Sequence, residues 1–538
     1  MDSASGDLQT LIDEFYDVWF RFHPDVAMNA GIHRYAGHLP EVDDDDMGAL
    51  GSWLESTIVG LEEIDFHALD QADQLDLELL FGACRDEYQA ILERDWRHRD
   101  PVAFLPFQTI YQLTLDSSTG GGRAALETCL SGVPGFLKQG CSQLAKYPQL
   151  IPRIWVDAAL NTGAEGVRFL KQLSCIRPEL RLLCDQASQA ADYYLKFLEA
   201  LLPNVEGSAA CGKQRFQEQL RFKHHLPDNV DQHLELARRV YQEASNELGV
   251  LCVEQTGSSE PRVWLDKLGR SERLQGDERL DYAQQRCTEI HGLLADSGQF
   301  VLSGIAGLEL RLMPQEYPPD CAPVYRPPSS LNSKSSGLLY LQRPPTGAGA
   351  GSPEQLTAWC VSHAWSGQHL QAAAASASPH AGATVRRANP SSSQQIGWSL
   401  YAEQITRDAG FIPAPEQALF GLLERLRRSL MAVLDIELHV HGMAASGALL
   451  QLQALPGHSK EAAARDLLAL TRHPTQHLAG VVGWKLLDAL RQWQQINGDE
   501  DLAGFHAKWL AQGCIAAPLV IRRVFGQQAW DWVEARSL

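Results

Sequence analysis

The sequence predicts a mainly α-helical protein with a small β-containing stretch in its second half, and three observations carry that expectation. Apolar residues recur at the three-and-four spacing of a buried helix face through most of the first 300 residues. From residue 304 the texture changes: 304–313 shows the two-residue alternation of a half-buried strand, a proline-rich stretch follows, and 335–341 reads as another strand. No segment repeats at a fixed period, which disfavours a solenoid.

Taken in order, Leu8, Leu11, Ile12, Phe15, Trp19 and Phe22 predict a helix over 7–22, and Pro24 marks its break. Asp43–Asp46 reads as a solvated loop or a helix N-terminus, where negative charge is favourable. Residues 70–97 carry a further helical pattern, followed by a loop with Pro101, Pro106 and Ser117–Gly122. Gly120-Gly121-Gly122 is not a phosphate loop, because no Lys-Ser/Thr follows and no strand precedes it. Helical patterns return at 124–146, 148–175, 179–202 and 228–250, and Pro261–Leu294 reads as two more helices. Gly304–Met313 and Ser335–Leu341 read as strands, with an extended, proline-restricted segment at 322–328 between them. Thr346–Gly351 reads as a linker-like loop.

Composition narrows the function. The chain has 538 residues, 45% of them hydrophobic and 21% charged, enough to bury a large core. A formal net charge of -20 argues against a nucleic-acid partner or an anionic membrane surface. No run is long and apolar enough to span a bilayer, and Met1–Asp7 has neither the basic nor the apolar part of a signal peptide. The 11 cysteines are an odd number without a C-x-x-C pair, so reduced thiols and a cytoplasmic location are expected.

The stretch from Ser352 to Glu403 carries the chemistry. Glu354–Ala377 reads as one helix containing Ser362-His363-Ala364-Trp365-Ser366-Gly367-Gln368-His369-Leu370-Gln371. On a continuous helix His363 and His369 point roughly 120° apart, so they do not form the i, i+4 pair of a zinc site. Cys360 and His363, at i and i+3, read as packing. Pro379–Gln395 reads as a loop with Arg386 and Arg387 in a solvated turn. A second helix opens at Ile396-Gly397-Trp398-Ser399-Leu400-Tyr401-Ala402-Glu403.

These two segments resemble the signature helices of a bacterial family of unknown function, DUF885, whose pattern is similar to that of zinc metallopeptidases. The family reads His-Glu-x-x-Pro-Gly-His-His-Leu-Gln in the first and Glu-Gly-Trp-Ala-Leu-Tyr-Ala-Glu in the second. Gly367, His369, Leu370, Gln371, Gly397, Trp398, Leu400, Tyr401, Ala402 and Glu403 match. Ser362 stands where the family has its first His, His363 where it has the Glu base, Ser366 for the Pro, Gln368 for the penultimate His and Ile396 for the leading Glu. Downstream, Asp435 and His439 match a further pattern, Phe505-His506 matches the last helix, and Gly480 stands where a Tyr is expected.

The resemblance implies a large helical zincin-like (gluzincin-type) body with a small sheet bordering the central helix. It divides the chain into an N-terminal helical region, 1–300, and a catalytic-like region, 301–538, within one continuous structural unit. A catalytic zinc needs about three protein ligands and a base beside its water, and Ser362, Gln368 and Ile396 are degenerate at those positions. The chain is therefore expected to be a catalytically silent zinc-peptidase homologue without a cofactor, binding a peptide or protein. The alternative is a hydrolase with an altered or relocated site, using zinc with His363, His369, Glu403, Asp435, His439 or His506. Tyr340, Trp398 and Tyr401 are the expected ligand contacts, each with helix or sheet core as its other reading. His369 and Glu403 are expected to face one cavity rimmed by residues 337–341, and Asp435 to bond His439 across one helical turn.

Overall fold

The computed structural model describes residues 2–117, 122–269, 273–318, 324–328, 335–343, 351–411, 414–498 and 501–538. Gly120, Gly121 and most of the 346–351 linker reading lie outside the described residues. The chain divides into two compact units, Met1–Cys211 with Pro314–Ala322, and Gly212–Met313 with Pro323–Leu538. The boundary expected at residue 300 therefore moves to 211–212. The reason is packing: the helix at 230–256 lies against the one at 415–439, and the helix at 276–296 lies against the first signature helix.

The first unit is helical: α1 (Asp2–Phe22), α2 (Pro24–Asn29), α3 (Asp44–Glu63), α4 (Gln71–Arg94), α5 (Phe107–Ser117), α6 (Arg123–Lys146), α7 (Arg153–Ile176) and α8 (Arg181–Leu201). The acidic run starts a helix, with Asp43 accepting from the Asp45 amide at 3.0 Å as an N-cap does. The loop expected around Pro101 and Pro106 contains α5, because Phe107, Ile110 and Tyr111 fall on one face and are buried.

The second unit begins with α9 (Lys213–Phe222), α10 (Val230–Thr256), α11 (Pro261–Leu268) and α12 (Gly276–Asp296). A sheet follows, formed by β1 (Leu308–Leu312), β2 (Tyr325–Arg326) and β3 (Gly337–Leu341) in the order β1-β3-β2. β1 runs parallel to β3 with Leu310 opposite Leu339, and β2 runs antiparallel to it. The remaining helices are α13 (Pro353–His363), α14 (Gln368–Ala377), α15 (Thr384–Ala388), α16 (Ser392–Asp408), α17 (Pro415–His439), α18 (Ala445–Ala454), α19 (Lys460–Arg472), α20 (Gln476–Asn497), α21 (Leu502–Leu510), α22 (Ala517–Val520) and α23 (Gln527–Ser537). The solvated turn expected at Arg386 and Arg387 is α15, and Arg386 is buried with Nη1 donating to Gln512 Oε1 at 3.3 Å.

The tightest contact in this unit is between α16 and α20. A Cβ at Gly483 would stand 1.8 Å from Ser393 O, and one at Gly397 would stand 2.9 Å from the Gly483 carbonyl carbon. Backbone meets backbone there, so only glycine fits.

Candidate functional site

The first signature segment is two helices rather than one. α13 stops at His363, and Ser366 adopts φ 73°, a left-handed conformation that costs an L-residue about 1–2 kcal/mol. Gly367 follows because a Cβ there would lie 2.0 Å from Ser362 O. Trp398 of the second segment fastens the break, its Nε1–H donating to Ser366 O at 2.9 Å and to Gly367 O at 3.3 Å. Gly367 and Trp398 thus hold a framework together. Ser366→Pro, the family's own residue, is expected to cost about 3 kcal/mol or more, because proline is fixed near φ −65°. Ser366→Gly should stay within about 1 kcal/mol of wild type, since relief of strain offsets the lost hydroxyl bond to Val361 O. Denaturant midpoints check both, and a well-tolerated proline would contradict a left-handed break.

The break separates the two histidines. His363 stacks on Trp359 and donates from Nδ1 to Trp359 O at 3.2 Å. His369 is fully buried, and both of its ring nitrogens are used. Nε2–H donates to Ala306 O at 3.0 Å, which makes Nδ1 the acceptor of the Tyr325 hydroxyl at 2.9 Å. Burial pushes the His369 imidazole down to about 4, so it stays neutral. Gly337 opens β3 because a Cβ would come within 2.7 Å of that same Nδ1.

The second segment points its matched residues into the core. Trp398 and Tyr401 are fully buried and Tyr340 is 3% exposed, so none offers a ligand surface in this structure. Tyr401 donates to His506 Nε2 at 2.8 Å, and His506 Nδ1–H donates to Gln299 O at 2.8 Å. β3 is the central strand with both sides paired, so the rim expected along 337–341 is interior sheet. Glu403 pairs with Arg425 at 2.8 Å, and Arg425 also reaches Glu247 at 3.2 Å. Glu403 and His369 share no hydrogen-bond partner among the described residues.

Two of the substituted positions meet in space. Ile396 packs into the notch left by Gly480, its Cγ2 lying 2.6 Å from where a Gly480 Cβ would stand. The residues at the two positions where the resemblance expects a Glu and a Tyr therefore form one complementary contact. Ser362 Oγ bonds to the Ala358 and Trp359 carbonyls of its own helix and lies 3.0 Å from His363 Nδ1, and Gln368 is exposed. The zinc that the resemblance implies is not fitted by this donor set: an alcohol, an aliphatic side chain and an imidazole with both nitrogens engaged.

Asp435 and His439 do not bond each other, being 3.9 Å apart. Asp435 instead caps α20, accepting from the Thr475, His477 and Leu478 amides at 3.0, 3.2 and 3.1 Å. His439 donates from Nε2 to Leu470 O at 2.9 Å. Beside this cap runs a one-directional chain of buried hydrogen bonds that sequence reading missed. The Ala517 amide donates to Ser393 Oγ, Ser393 to Ser391 Oγ at 2.8 Å, Ser391 to His224 Nδ1 at 2.9 Å, and His224 Nε2–H to Thr475 Oγ1 at 3.1 Å. The Thr475 hydroxyl closes it on Pro474 O, so every polar group is satisfied.

A second missed group lies where α13, α17, α19 and α20 meet. Glu424 pairs with Arg427 and Arg428 at 2.8 and 2.7 Å, and Arg427 also pairs with Asp466 at 2.8 Å. The two arginines hold the Glu424 carboxyl far below the usual range. His363 and His477 lie in the field of the same arginines, and burial keeps both neutral. The spacing Glu424-x-x-Arg427-Arg428 is a legible i,i+3/i+4 ion pair; what it surrounds is decided by the fold.

A helical protein with a three-stranded sheet, whose signature segments serve as framework, is the class defined by this geometry. The chain belongs to the family described as bacterial protein of unknown function (DUF885), which it matches over residues 24–524. Two solved structures share its fold. One, described as a "putative lipoprotein of unknown function" from Shewanella oneidensis, is 16% identical over 95% of this chain and 98% of that one, with a TM-score of 0.73. The other, described as a "putative lipoprotein" from Colwellia psychrerythraea, is 16% identical over 100% of both chains, with a TM-score of 0.76. No curated protein matches the chain.

Proposed function

We propose that this protein is a catalytically silent homologue of a zincin-like peptidase, binding a peptide or protein without cleaving it. The observation that carries the reading is His369, the surviving candidate ligand, whose two ring nitrogens are committed to Ala306 O and Tyr325. Ile396 seated on Gly480 supports it, because an aliphatic contact occupies the position of a carboxylate. A cytoplasmic location is part of the proposal, supported by free thiols at all ten cysteines among the described residues.

Ile396→Glu tests the reading. The side chain is half-buried, and the variant loses the Gly480 contact and desolvates a carboxylate, a cost of about 1–2 kcal/mol. Desolvation raises the folded-state pKa above the unfolded one, so the charge part of the loss is absent below the unfolded value and grows as pH rises from the unfolded value to the folded one, while the lost packing contact persists at every pH. Added zinc should not restore the denaturation midpoint. Recovery with zinc, together with about one zinc per chain lost on His369→Ala, would establish a metal site and overturn the proposal. One observation favours the second reading, an altered hydrolase: His363, in the place of the family's base, leaves Nε2 without a partner among the described residues. Peptide hydrolysis that survives chelation and is lost on His363→Ala would establish that reading.

A further inference from the structure

Helices α12 and α13 pack against each other and advance together, and three side-chain contacts set their register. The Tyr282 hydroxyl meets Thr357 Oγ1 at 3.0 Å. One residue on, the Ala283 carbonyl accepts from the Cys360 thiol at 3.9 Å. Further along, the His291 ring lies 4.3 Å from that of Trp365, just past the end of α13. Cys287 stands midway between Ala283 and His291, one helical turn from each, on the buried face of α12. That register carries its thiol to Cys360, and the two sulfurs share a side-chain hydrogen bond. Both are free thiols, Cys360 fully buried and Cys287 5% exposed. Cys360, which the sequence paired with His363, therefore has its closest chemistry in a residue 73 positions earlier.

We propose that Cys287 and Cys360 are a redox pair, joined reversibly by a disulfide when the protein meets a hydroperoxide. Cys287 is the first target, because Cys360 has no exposed surface and hydrogen peroxide is scarcely larger than water. The Cys287 sulfur attacks one peroxide oxygen, the O–O bond breaks, and the departing hydroxide takes the thiol proton as water. The sulfenic acid left on Cys287 then condenses with its neighbour. The Cys360 sulfur displaces hydroxide from the Cys287 sulfur, and that hydroxide leaves as water with the Cys360 proton. Two thiols lose two electrons and two protons, and the peroxide is reduced to two waters. The neighbouring thiol and burial keep the Cys360 thiol protonated against the pull of Arg279 and Arg286, which suits it to the second step. The bond closes a loop holding all three strands and clamps α13 three residues before its end at His363.

The test uses the folded full chain, first reduced and freed of reductant, then treated with hydrogen peroxide. It is unfolded in N-ethylmaleimide to block every remaining thiol, digested and mapped by mass spectrometry. The expected product is a peptide pair joined through Cys287 and Cys360, which dithiothreitol separates. The oxidised chain should also show a higher urea midpoint, its unfolding equilibrium constant lowered on the order of a hundredfold by closure of so long a loop. Cys360→Ala should abolish that difference between oxidised and reduced protein, and Cys287→Ala should do the same. The peptide map of the unaltered chain decides the matter even if either variant fails to fold. Recovery of both cysteines as blocked thiols overturns the proposal. So does a bond from either one to a different cysteine, or Cys287 recovered as sulfinic acid with Cys360 still a thiol.

Discussion

Acidification from about pH 7.5 to about pH 5 is expected to lower the folding stability by a net amount of at least about 5 kcal/mol. His224, His369, His477 and His506 are buried and held below the ordinary histidine value of 6.5, His369 and His506 at about 4 and His477 at about 3, chiefly by burial. The unfolded chain takes up a proton on each as the pH falls through 6.5, while the folded chain does not, so unfolding is favoured progressively until the folded value is reached. With 1.36 kcal/mol per unit, each contributes about 2 kcal/mol by pH 5. Asp435 opposes them. Burial raises its carboxyl from 3.8 to about 7 despite three amide donors, so below that value the folded state holds a proton that the unfolded state lacks. Its contribution therefore grows as the pH falls, and it offsets only part of the loss because it is one group against the four named and against His225, His233, His363 and His473, which burial also holds below 6.5. Urea midpoints at the two pH values measure the sum. A midpoint that rises on acidification would mean that Asp435 dominates and that the histidines are less enclosed than described.

Gly483→Ala is expected to cost about 4 kcal/mol, beyond the usual range for overpacking. The new Cβ would stand 1.8 Å from Ser393 O and 2.5 Å from its carbonyl carbon, and these are backbone atoms that no rotamer change can move. Separating α16 from α20 would also pull Ser393 Oγ away from the Ala517 amide and from Ser391, breaking the hydrogen-bond chain at its start. The gain of about 1 kcal/mol in helix propensity on replacing glycine by alanine is too small to compensate. Gly249→Ala in α10, where a Cβ meets nothing within 4 Å, should show that gain alone. Denaturation midpoints of the two variants settle the comparison, and a Gly483→Ala midpoint near wild type would exclude backbone contact between these helices.

The long helices were legible because their periodicity is local. Leu8, Ile12 and Phe15 recur at a helix's own spacing, and the structure places them on the buried face of α1. The strand at 308–312 was legible by alternation and the one at 337–341 as a short apolar run, although their order with β3 in the centre was not, since pairing is a long-range choice. The break at Ser366 was hidden for a different reason. Nothing in an alanine-rich run signals a left-handed serine, and it is held by Trp398, 32 residues away. The same holds for the 101–122 stretch, where prolines suggested a loop and the buried face of Phe107, Ile110 and Tyr111 made a helix.

By itself the sequence determined the helical class, most of the helix positions and the family, because apolar spacing and the retained Gly367, Trp398 and Tyr401 are written in neighbouring residues. It also determined which chemical groups are missing from the signature segments, since Ser362 and Ile396 offer neither imidazole nor carboxylate whatever the fold. Only the tertiary structure decided what the remaining groups do. His369 is saturated by Ala306 O and Tyr325, and Glu403 is turned to Arg425. Ile396 and Gly480, 84 residues apart, form one contact. The physical reason is that a side chain's chemistry depends on which partners satisfy its donors and acceptors and how much water is excluded, and both are set by elements distant in the chain.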